Sequence, residues 1–208
     1  MEVGSLKAGN VRGGNFTEFR TDGSIRFVGG ATQFDDMICQ AFGQNIDTSS
    51  GRIDFDYAEG TVNYATNSRY PNEALFHPFQ MSHKQMESSN VYFHVHWLQE
   101  ENNIPNWLLR YRTWENGQTA GAYTNVEYTD NVFTYTSGTI LQITTFPAFA
   151  SASGVSNCVD CILYRDTDND SGLFAGSDPY TGLAKLKFAD LHYEIDSTGS
   201  FSEYSKEM

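Results

Sequence analysis

The sequence is short of cysteine and of long apolar runs. Its 208 residues include 3 cysteines, an odd number that does not indicate a disulfide framework. No apolar run approaches the roughly 20 residues that a membrane-spanning helix needs. Residues 1–7 also lack the apolar segment of a secretory signal. We therefore expect a protein that is made in a cytoplasm and has no membrane partner.

Positive charge is scarce as well. The chain has 13 Lys and Arg against 26 Asp and Glu, which gives a formal net charge of −13. Because nucleic-acid phosphates are bound by basic surfaces, this charge argues against nucleic acid as a partner.

Catalytic signatures are missing too. The sequence contains no Gly-x-Ser-x-Gly elbow, no Walker A loop and no dinucleotide-binding fingerprint. Asp54 and Asp56 have the residue type of a glycosidase pair, but acids that alternate along a strand usually form its solvent face. We expect no enzyme activity and no cofactor.

Aromatic residues, by contrast, are abundant: 15 Phe, 12 Tyr and 3 Trp. Apolar and polar residues alternate over about ten short segments separated by turn residues, which predicts an all-β fold, an antiparallel β-sandwich or jelly roll. The predicted strands are 25–28, 52–57, 62–64, 75–80, 91–100, 107–114, 124–135, 139–146, 158–164 and 183–195.

The N-terminal segment, residues 1–31, departs from this pattern because it is rich in glycine. We expect an extended arm with one short strand that lies on a partner, joined to a single sandwich domain over residues 32–208. The arm residues expected to make contacts are Gly9, Gly13, Gly14, Phe16 and Phe19.

One short helix is predicted where the sandwich domain begins. Residues 32–35, Thr-Gln-Phe-Asp, resemble a capping box. Phe34, Met37, Ile38 and Ala41 then follow the apolar spacing of a helix, which Gly43 would end.

The stretch from Val91 to Glu100 is predicted to be the central strand. Its alternate residues place bulky side chains on both faces, so both faces should be covered, by a second sheet or by a subunit. Three aromatic residues on this strand and the next are expected to contact a partner: Trp97, Trp107 and Tyr111.

Two histidines of this strand, His94 and His96, point the same way about 7 Å apart. With Glu100 they form His-x-His-x3-Glu, which resembles the first metal motif of the cupins, and His192 would supply a third histidine. The glycines that flank the cupin motif are missing. We therefore expect histidines that are hydrogen-bonded between strands and bind no metal.

Two other spacings resemble metal sites. Cys158 and Cys161 resemble half a zinc ribbon, but residues i and i+3 of a strand face opposite sides, so both are expected to be small core residues. Asp166, Asp168 and Asp170 resemble a calcium loop, but the glycine and glutamate of an EF-hand are absent. A solvated acidic turn is the prediction, with calcium binding at a subunit boundary as the alternative.

Five blocks of the sequence are similar to a widespread family of tailed-bacteriophage virion proteins. They are 80–83 (Gln-Met-Ser-His), 94–97 (His-Val-His-Trp), 107–111, 163–166 (Leu-Tyr-Arg-Asp) and 191–206, which begins Leu-His-Tyr-Glu-Ile-Asp. The similarity runs from about Phe76 to Lys206. Ser82 departs from the proline that the family has at this place.

The resemblance implies a structural protein of the virion, assembled in the host cytoplasm and without catalytic activity. A head decoration or cement protein fits best, with the major capsid protein and other copies of itself, as a homotrimer, for partners. The alternatives are a neck or tail protein, a glycan-binding head-fibre protein and a cupin-like metalloenzyme.

Overall fold

A computed structural model describes residues 4–40, 45–46, 53–115, 117–128, 135–154 and 156–199. These residues form fifteen β-strands and two 3-10 turns, Val11–Gly13 and Gly29–Ala31. Within these ranges no helix is long and apolar enough to cross a membrane. The strands are β1 (Leu6–Asn10), β2 (Asn15–Phe19), β3 (Ile25–Val28), β4 (Gln33–Gln40), β5 (Asn45–Ile46), β6 (Ile53–Asp56), β7 (Thr61–Tyr64), β8 (Ala74–Gln80), β9 (Asn90–Gln99), β10 (Trp107–Trp114), β11 (Thr124–Glu127), β12 (Ile140–Thr145), β13 (Phe149–Ala150), β14 (Cys158–Arg165) and β15 (Ala184–Ile195).

Two antiparallel sheets pack face to face around one core. The larger sheet has the order β12-β9-β15-β7-β6, with β4 beside β15 and β13 beside β9, and the smaller has the order β11-β10-β14-β8-β5. The ring centres of Trp97 in the larger sheet and Trp107 in the smaller lie 6.3 Å apart. The Tyr64 hydroxyl donates a hydrogen bond across the layers to the Leu163 carbonyl, 2.9 Å away. The predicted antiparallel β-sandwich is confirmed.

The jelly roll is our interpretation of the strand order. Strands β7, β9, β12 and β15 lie in one sheet and β8, β10, β11 and β14 in the other. The chain therefore crosses between the layers at every connection within this set except the one from β10 to β11. Four strands in each of two sheets, connected across the layers, are typical of a jelly roll.

Most predicted strands agree with the structure to within one residue at each end. The hairpin through Gly60 is confirmed, since β6 pairs antiparallel with β7. The strand predicted over 124–135 ends at Glu127 in the described part of the chain. Its residues 129–134, and the predicted helix end at Gly43, lie outside the described residues.

The prediction of a short helix after Thr32 is wrong. Residues Gln33–Gln40 form β4, which pairs antiparallel with β15 along its whole length. Met37 and Cys39 pack on the core, whereas Phe34 and Ile38 are 54% and 57% exposed on the other face. The apolar spacing that indicates a helix thus comes from two strand faces that each carry apolar groups, and pairing with β15 overrides the local pattern.

The prediction that residues 1–31 form an extended arm with one short strand is wrong for the residues that the structure describes. Residues 6–28 form a separate three-stranded antiparallel sheet in the order β1-β2-β3, and only its third strand was expected. Backbone hydrogen bonds join β3 to the segment that follows β15: the Thr198 N–H donates to the Ile25 carbonyl and the Phe27 N–H donates to the Asp196 carbonyl. Gly29 has a φ of +60°, and a Cβ there would lie 2.4 Å from the Gly14 carbonyl oxygen, so this turn requires glycine.

A buried arginine holds one end of the sandwich together. Arg165, the last residue of β14, is fully buried, and its Nε donates to Asp178 Oδ2 at 2.6 Å. Burial raises the pKa of Asp178, while the adjacent guanidinium opposes that rise. The other guanidinium nitrogens donate to the backbone carbonyls of Tyr64, Ala65, Tyr180 and Gly182. This single side chain therefore fixes the loop after β14 against the end of β7.

Replacing Arg165 by Leu should lower the free energy of unfolding by about 3–5 kcal/mol, because Asp178 would stay buried without its partner. Urea denaturation measures this change. Arg69→Ala is the matched control, since Arg69 pairs with Asp168 at 2.6 Å but both side chains are about half exposed. That variant should lose less than about 1 kcal/mol. Similar losses in the two variants would contradict the role assigned to Arg165.

The core also contains a histidine without a hydrogen-bond partner. His77 of β8 is fully buried, with its ring centre 5.8 Å from that of Phe93. Within the described part of the chain, neither of its ring nitrogens has a hydrogen-bond partner. Burial disfavours the charged form and lowers the pKa of His77 to about 4. The side chain is therefore neutral at pH 7.

Stability should fall as the pH is lowered from 6.5 to 4. Between pH 6.5 and pH 4, His77 becomes protonated in the unfolded chain but stays neutral in the folded chain. Lowering the pH through this window therefore reduces the free energy of unfolding by up to about 3 kcal/mol. Above pH 6.5 the effect is absent because both states are neutral at this residue. His77→Leu should remove this part of the pH dependence in urea denaturation curves. An identical pH dependence in the variant and the wild type would show that His77 does not cause it.

Candidate functional site

The solvent side of the larger sheet carries the candidate site. On β9 the inner side chains Val91, Phe93, Val95 and Trp97 are fully buried, and the alternate residues are partly exposed. We define the outer face as the solvent-side residues of the adjacent strands β12, β9, β15 and β4. They are Leu141, Ile143 and Thr145; Tyr92, His94, His96 and Leu98; Phe188, Asp190, His192 and Glu194; and Phe34, Asp36, Ile38 and Gln40.

A β-bulge decides which side chains of β15 reach the outer face. The pairing of β15 with β9 shifts between Leu186 and Phe188, so Lys187 is the extra residue. Beyond the bulge, Leu191 points into the core and Asp190 points outward. Asp190 is thereby the direct cross-strand neighbour of His94.

His94, His96 and Asp190 meet at the centre of the outer face, and we name them the triad. Asp190 Oδ1 lies 3.0 Å from His94 Nδ1, and Asp190 Oδ2 lies 2.8 Å from His96 Nε2. The three side chains are 20%, 12% and 7% exposed in the order His94, His96, Asp190. Burial acts to raise the pKa of Asp190, but the two imidazoles outweigh it and lower the pKa to about 2. The carboxylate is therefore ionised near neutral pH.

His192 lies beside the triad and has its own carboxylate. Its ring centre is 5.5 Å from that of His94, and its ring stacks on Phe34 with centres 4.5 Å apart. Its Nδ1 lies 2.6 Å from Asp36 Oδ1. The predicted third histidine is thus near the histidine pair, but it is oriented by a neighbouring strand.

Glu100, the carboxylate of the predicted His-x-His-x3-Glu pattern, is not part of this cluster. Its Oε1 accepts a hydrogen bond from Lys185 Nζ at 2.8 Å. Asp190 takes the place that the spacing gave to Glu100. Alternation from His192 places Asp190 on the same face, but the sequence alone does not indicate the register that puts Asp190 beside His94.

Large apolar side chains border the triad on both sides. On the β12 side Leu141 and Ile143 are 55% and 41% exposed, and on the β4 side Phe34 and Ile38 are similarly exposed. The Phe188 ring stacks on that of His96, with ring centres 4.1 Å apart. The outer face therefore combines a polar centre with apolar margins, unlike an ordinary solvent-facing sheet.

The two cysteines of the Cys-x2-Cys spacing are free thiols. Cys161 is fully buried in the core, as predicted, whereas Cys158 is only partly buried. Burial raises the pKa of both thiols, and that of Cys161 most strongly. Both are therefore protonated at neutral pH and poorly suited to bind a metal.

The three acidic residues whose spacing resembles a calcium loop, and which were predicted to form a solvated turn, have separate surroundings. Asp166 is fully buried and accepts hydrogen bonds from the backbone N–H groups of Asp170 and Ser171, at 2.9 and 3.1 Å. Asp168 pairs with Arg69, and Asp170 is exposed. Asp166 thus acts within the chain, as the acceptor that shapes the turn after Arg165.

The aromatic residues predicted to contact a partner are mostly internal. Trp97 and Trp107 are fully buried in the core, so they cannot reach a partner, and the prediction is wrong for them. Tyr111 is half buried and stacks on Phe149, with ring centres 4.0 Å apart. Burying the two tryptophans between the sheets explains why β9 and β10 are rich in aromatic residues.

The residues predicted to make contacts from the N-terminal segment remain accessible. Gly9, Gly13, Gly14 and Phe19 are exposed, and Phe16 is half buried. They belong to the small sheet of β1, β2 and β3. Contact between this sheet and a partner stays a prediction.

Comparisons with known proteins add little to this description. No model of a known protein family matches the chain, and no curated protein matches it. Among solved structures, it is similar to the dimeric latent PorU from Porphyromonas gingivalis, with 11% identity and a TM-score of 0.32. The match covers 79% of this chain and 13% of PorU. At this TM-score we draw nothing from the similarity about fold or function.

Proposed function

We propose that this protein is a structural component of a bacteriophage virion and that it acts as a head decoration protein. It would bind other copies of itself and the major capsid protein over the junctions between capsomers. Its work would be mechanical, because area buried between neighbours adds binding free energy that resists pressure from inside the shell. The proposal rests on the family resemblance of the sequence blocks and on the outer face.

The observation that carries the proposal is the exposed apolar surface of the outer face. Leu141, Ile143, Phe34 and Ile38 are each more than 40% exposed and border one sheet surface. Exposed apolar patches on a protein surface mark sites of association, and this face carries one on each side of its polar centre. A surface that buries these side chains against a neighbouring subunit would suit a protein that functions by adhesion.

The motifs behind the resemblance have architectural roles. Within the Leu-Tyr-Arg-Asp block, Arg165 fixes a loop to the sandwich and Asp166 shapes the turn that follows. Within the His-Val-His-Trp block, Trp97 fills the core and donates to the Thr144 hydroxyl at 2.9 Å. Residues that organise a scaffold are what a structural protein of a particle requires.

The charge of the chain also supports a position on the outside of the shell. A formal net charge of −13 repels the phosphates of packaged DNA. On an outer surface, the same charge would discourage particles from clumping.

The copy number per particle tests the proposal most directly. Quantitative mass spectrometry or imaging of the purified virion should find hundreds of copies if the protein decorates the head, as repeated shell symmetry requires. A count of about a dozen or fewer would reject the decoration role in favour of the neck or tail. Absence from the virion would reject the proposed function altogether.

Charged substitutions on the outer face should separate association from folding. Ile143→Asp and Leu141→Asp change exposed positions, so each should cost no more than about 1 kcal/mol of monomer stability. Both should prevent formation of the trimer in sedimentation velocity experiments, because a carboxylate would be buried without a partner.

Tyr57→Asp is the matched control for these two variants. Tyr57 is 89% exposed next to the β6–β7 turn, away from the outer face. This variant should assemble as the wild type does. A wild-type chain that stays monomeric at all concentrations, or outer-face variants that assemble normally, would contradict association through this face.

A further inference from the structure

The triad offers a chemically selective set of ligand atoms. Two imidazole nitrogens and one carboxylate oxygen suit transition-metal ions such as Zn²⁺, Fe²⁺ and Mn²⁺, whereas Ca²⁺ and Mg²⁺ prefer oxygen ligands alone. Within the described residues, His94, His96 and Asp190 are the group of His, Cys, Asp and Glu side chains that could hold a metal. The sequence predicts metal-free histidines in a pattern that contains Glu100, whereas the structure brings Asp190 to the two histidines.

The distances within the triad fit a metal ion with small adjustments. One ligand atom from each residue lies within 4.8 Å of the others. Around an ion with bonds of about 2.1 Å, neighbouring ligand atoms are about 3.0–3.5 Å apart and opposite ones about 4.2 Å apart. The distances from Asp190 Oδ1 to His94 Nδ1 and from Asp190 Oδ2 to His96 Nε2, 3.0 and 2.8 Å, are in or near that range, although they involve different oxygens of the carboxylate. Rotation of the partly exposed histidine rings would supply the remaining contraction.

The Asp190 carboxylate lies against both imidazoles, with Oδ1 at His94 Nδ1 and Oδ2 at His96 Nε2. In the absence of a metal, an N–H of each imidazole can donate to the nearer carboxylate oxygen. A divalent ion would replace these protons, because neutral imidazole nitrogens and a carboxylate bind a metal through their lone pairs.

We propose that His94, His96 and Asp190 bind a divalent transition-metal ion, with Zn²⁺ as the reference ion. The three ligands stand on the outer face, so the remaining coordination positions point away from the sheet and are filled by water in the isolated protein. The site requires only the fold of one chain. It therefore does not rest on the proposed virion function.

Isothermal titration of chelator-treated protein with Zn²⁺ tests the site. The wild type should bind one ion per chain. His96→Gln and Asp190→Asn should each weaken binding by about 100-fold or more, because each removes one of only three protein ligands. His83→Gln is the matched control: His83 is partly exposed and bonded to Ser156 Oγ at 2.6 Å, outside the triad. It should bind Zn²⁺ with wild-type affinity.

Cobalt substitution gives a second measurement that does not depend on heat of binding. Co²⁺ held by two imidazoles and a carboxylate should give visible absorption bands in the wild type and in His83→Gln. The bands should be absent in the double variant His94→Gln, His96→Gln. Both substituted positions are partly exposed, so the double variant should keep the far-ultraviolet circular dichroism spectrum of the wild type.

Two results would overturn the proposal. One is a wild-type chain that shows no saturable Zn²⁺ binding above the level of the double variant. The other is full binding by a correctly folded double variant, since the ion would then be held elsewhere. Because these measurements use the isolated chain, their failure leaves the copy number in the virion, and with it the proposed function, as a separate question.

Discussion

The packing of the inner face of β9 against the second sheet fixes the position of every residue on the outer face. Four consecutive inward side chains of β9 are fully buried, and each contributes roughly 1.5–3 kcal/mol by leaving water. A slip of one residue in the pairing would turn Phe93 and Val95 toward solvent and His94 and His96 into the core. The core therefore holds the two histidines in place without contacting their rings.

Polar contacts add a second constraint at the end of the sandwich. Arg165 and Asp178 are both buried, and a buried ion pair often adds less stability than an apolar pair of the same size. Its value lies in specificity, because the guanidinium also binds four backbone carbonyls that no apolar side chain could satisfy. These contacts hold the long loop between β14 and β15 against the end of the sandwich.

The fold was predictable from the sequence wherever alternation was regular, as in β6 and β9. It was not predictable where another strand or a bulge overrides the local pattern. The apolar spacing of β4 indicates a helix until its pairing with β15 is known, since both faces of this strand carry apolar groups. His94 and His96 lie on the same strand, and their His-x-His spacing in the sequence predicted that they share a face. The third triad residue, Asp190, lies 94 residues from His96 along the chain, and only the register of β15 brings it near.

The polar centre of the outer face affects the free energy of association when a neighbouring subunit covers that face. The Asp190 carboxylate is ionised and 7% exposed, and a neighbouring subunit would leave this charge surrounded by protein with only the two imidazoles to offset it. A divalent ion held by the triad would compensate that charge, while the apolar margins would gain from burial. Metal binding and association would then favour each other by the same factor, as linkage requires. The apolar margins thus give a reason for adhesion, and the triad gives a reason why adhesion at this face would depend on a bound cation.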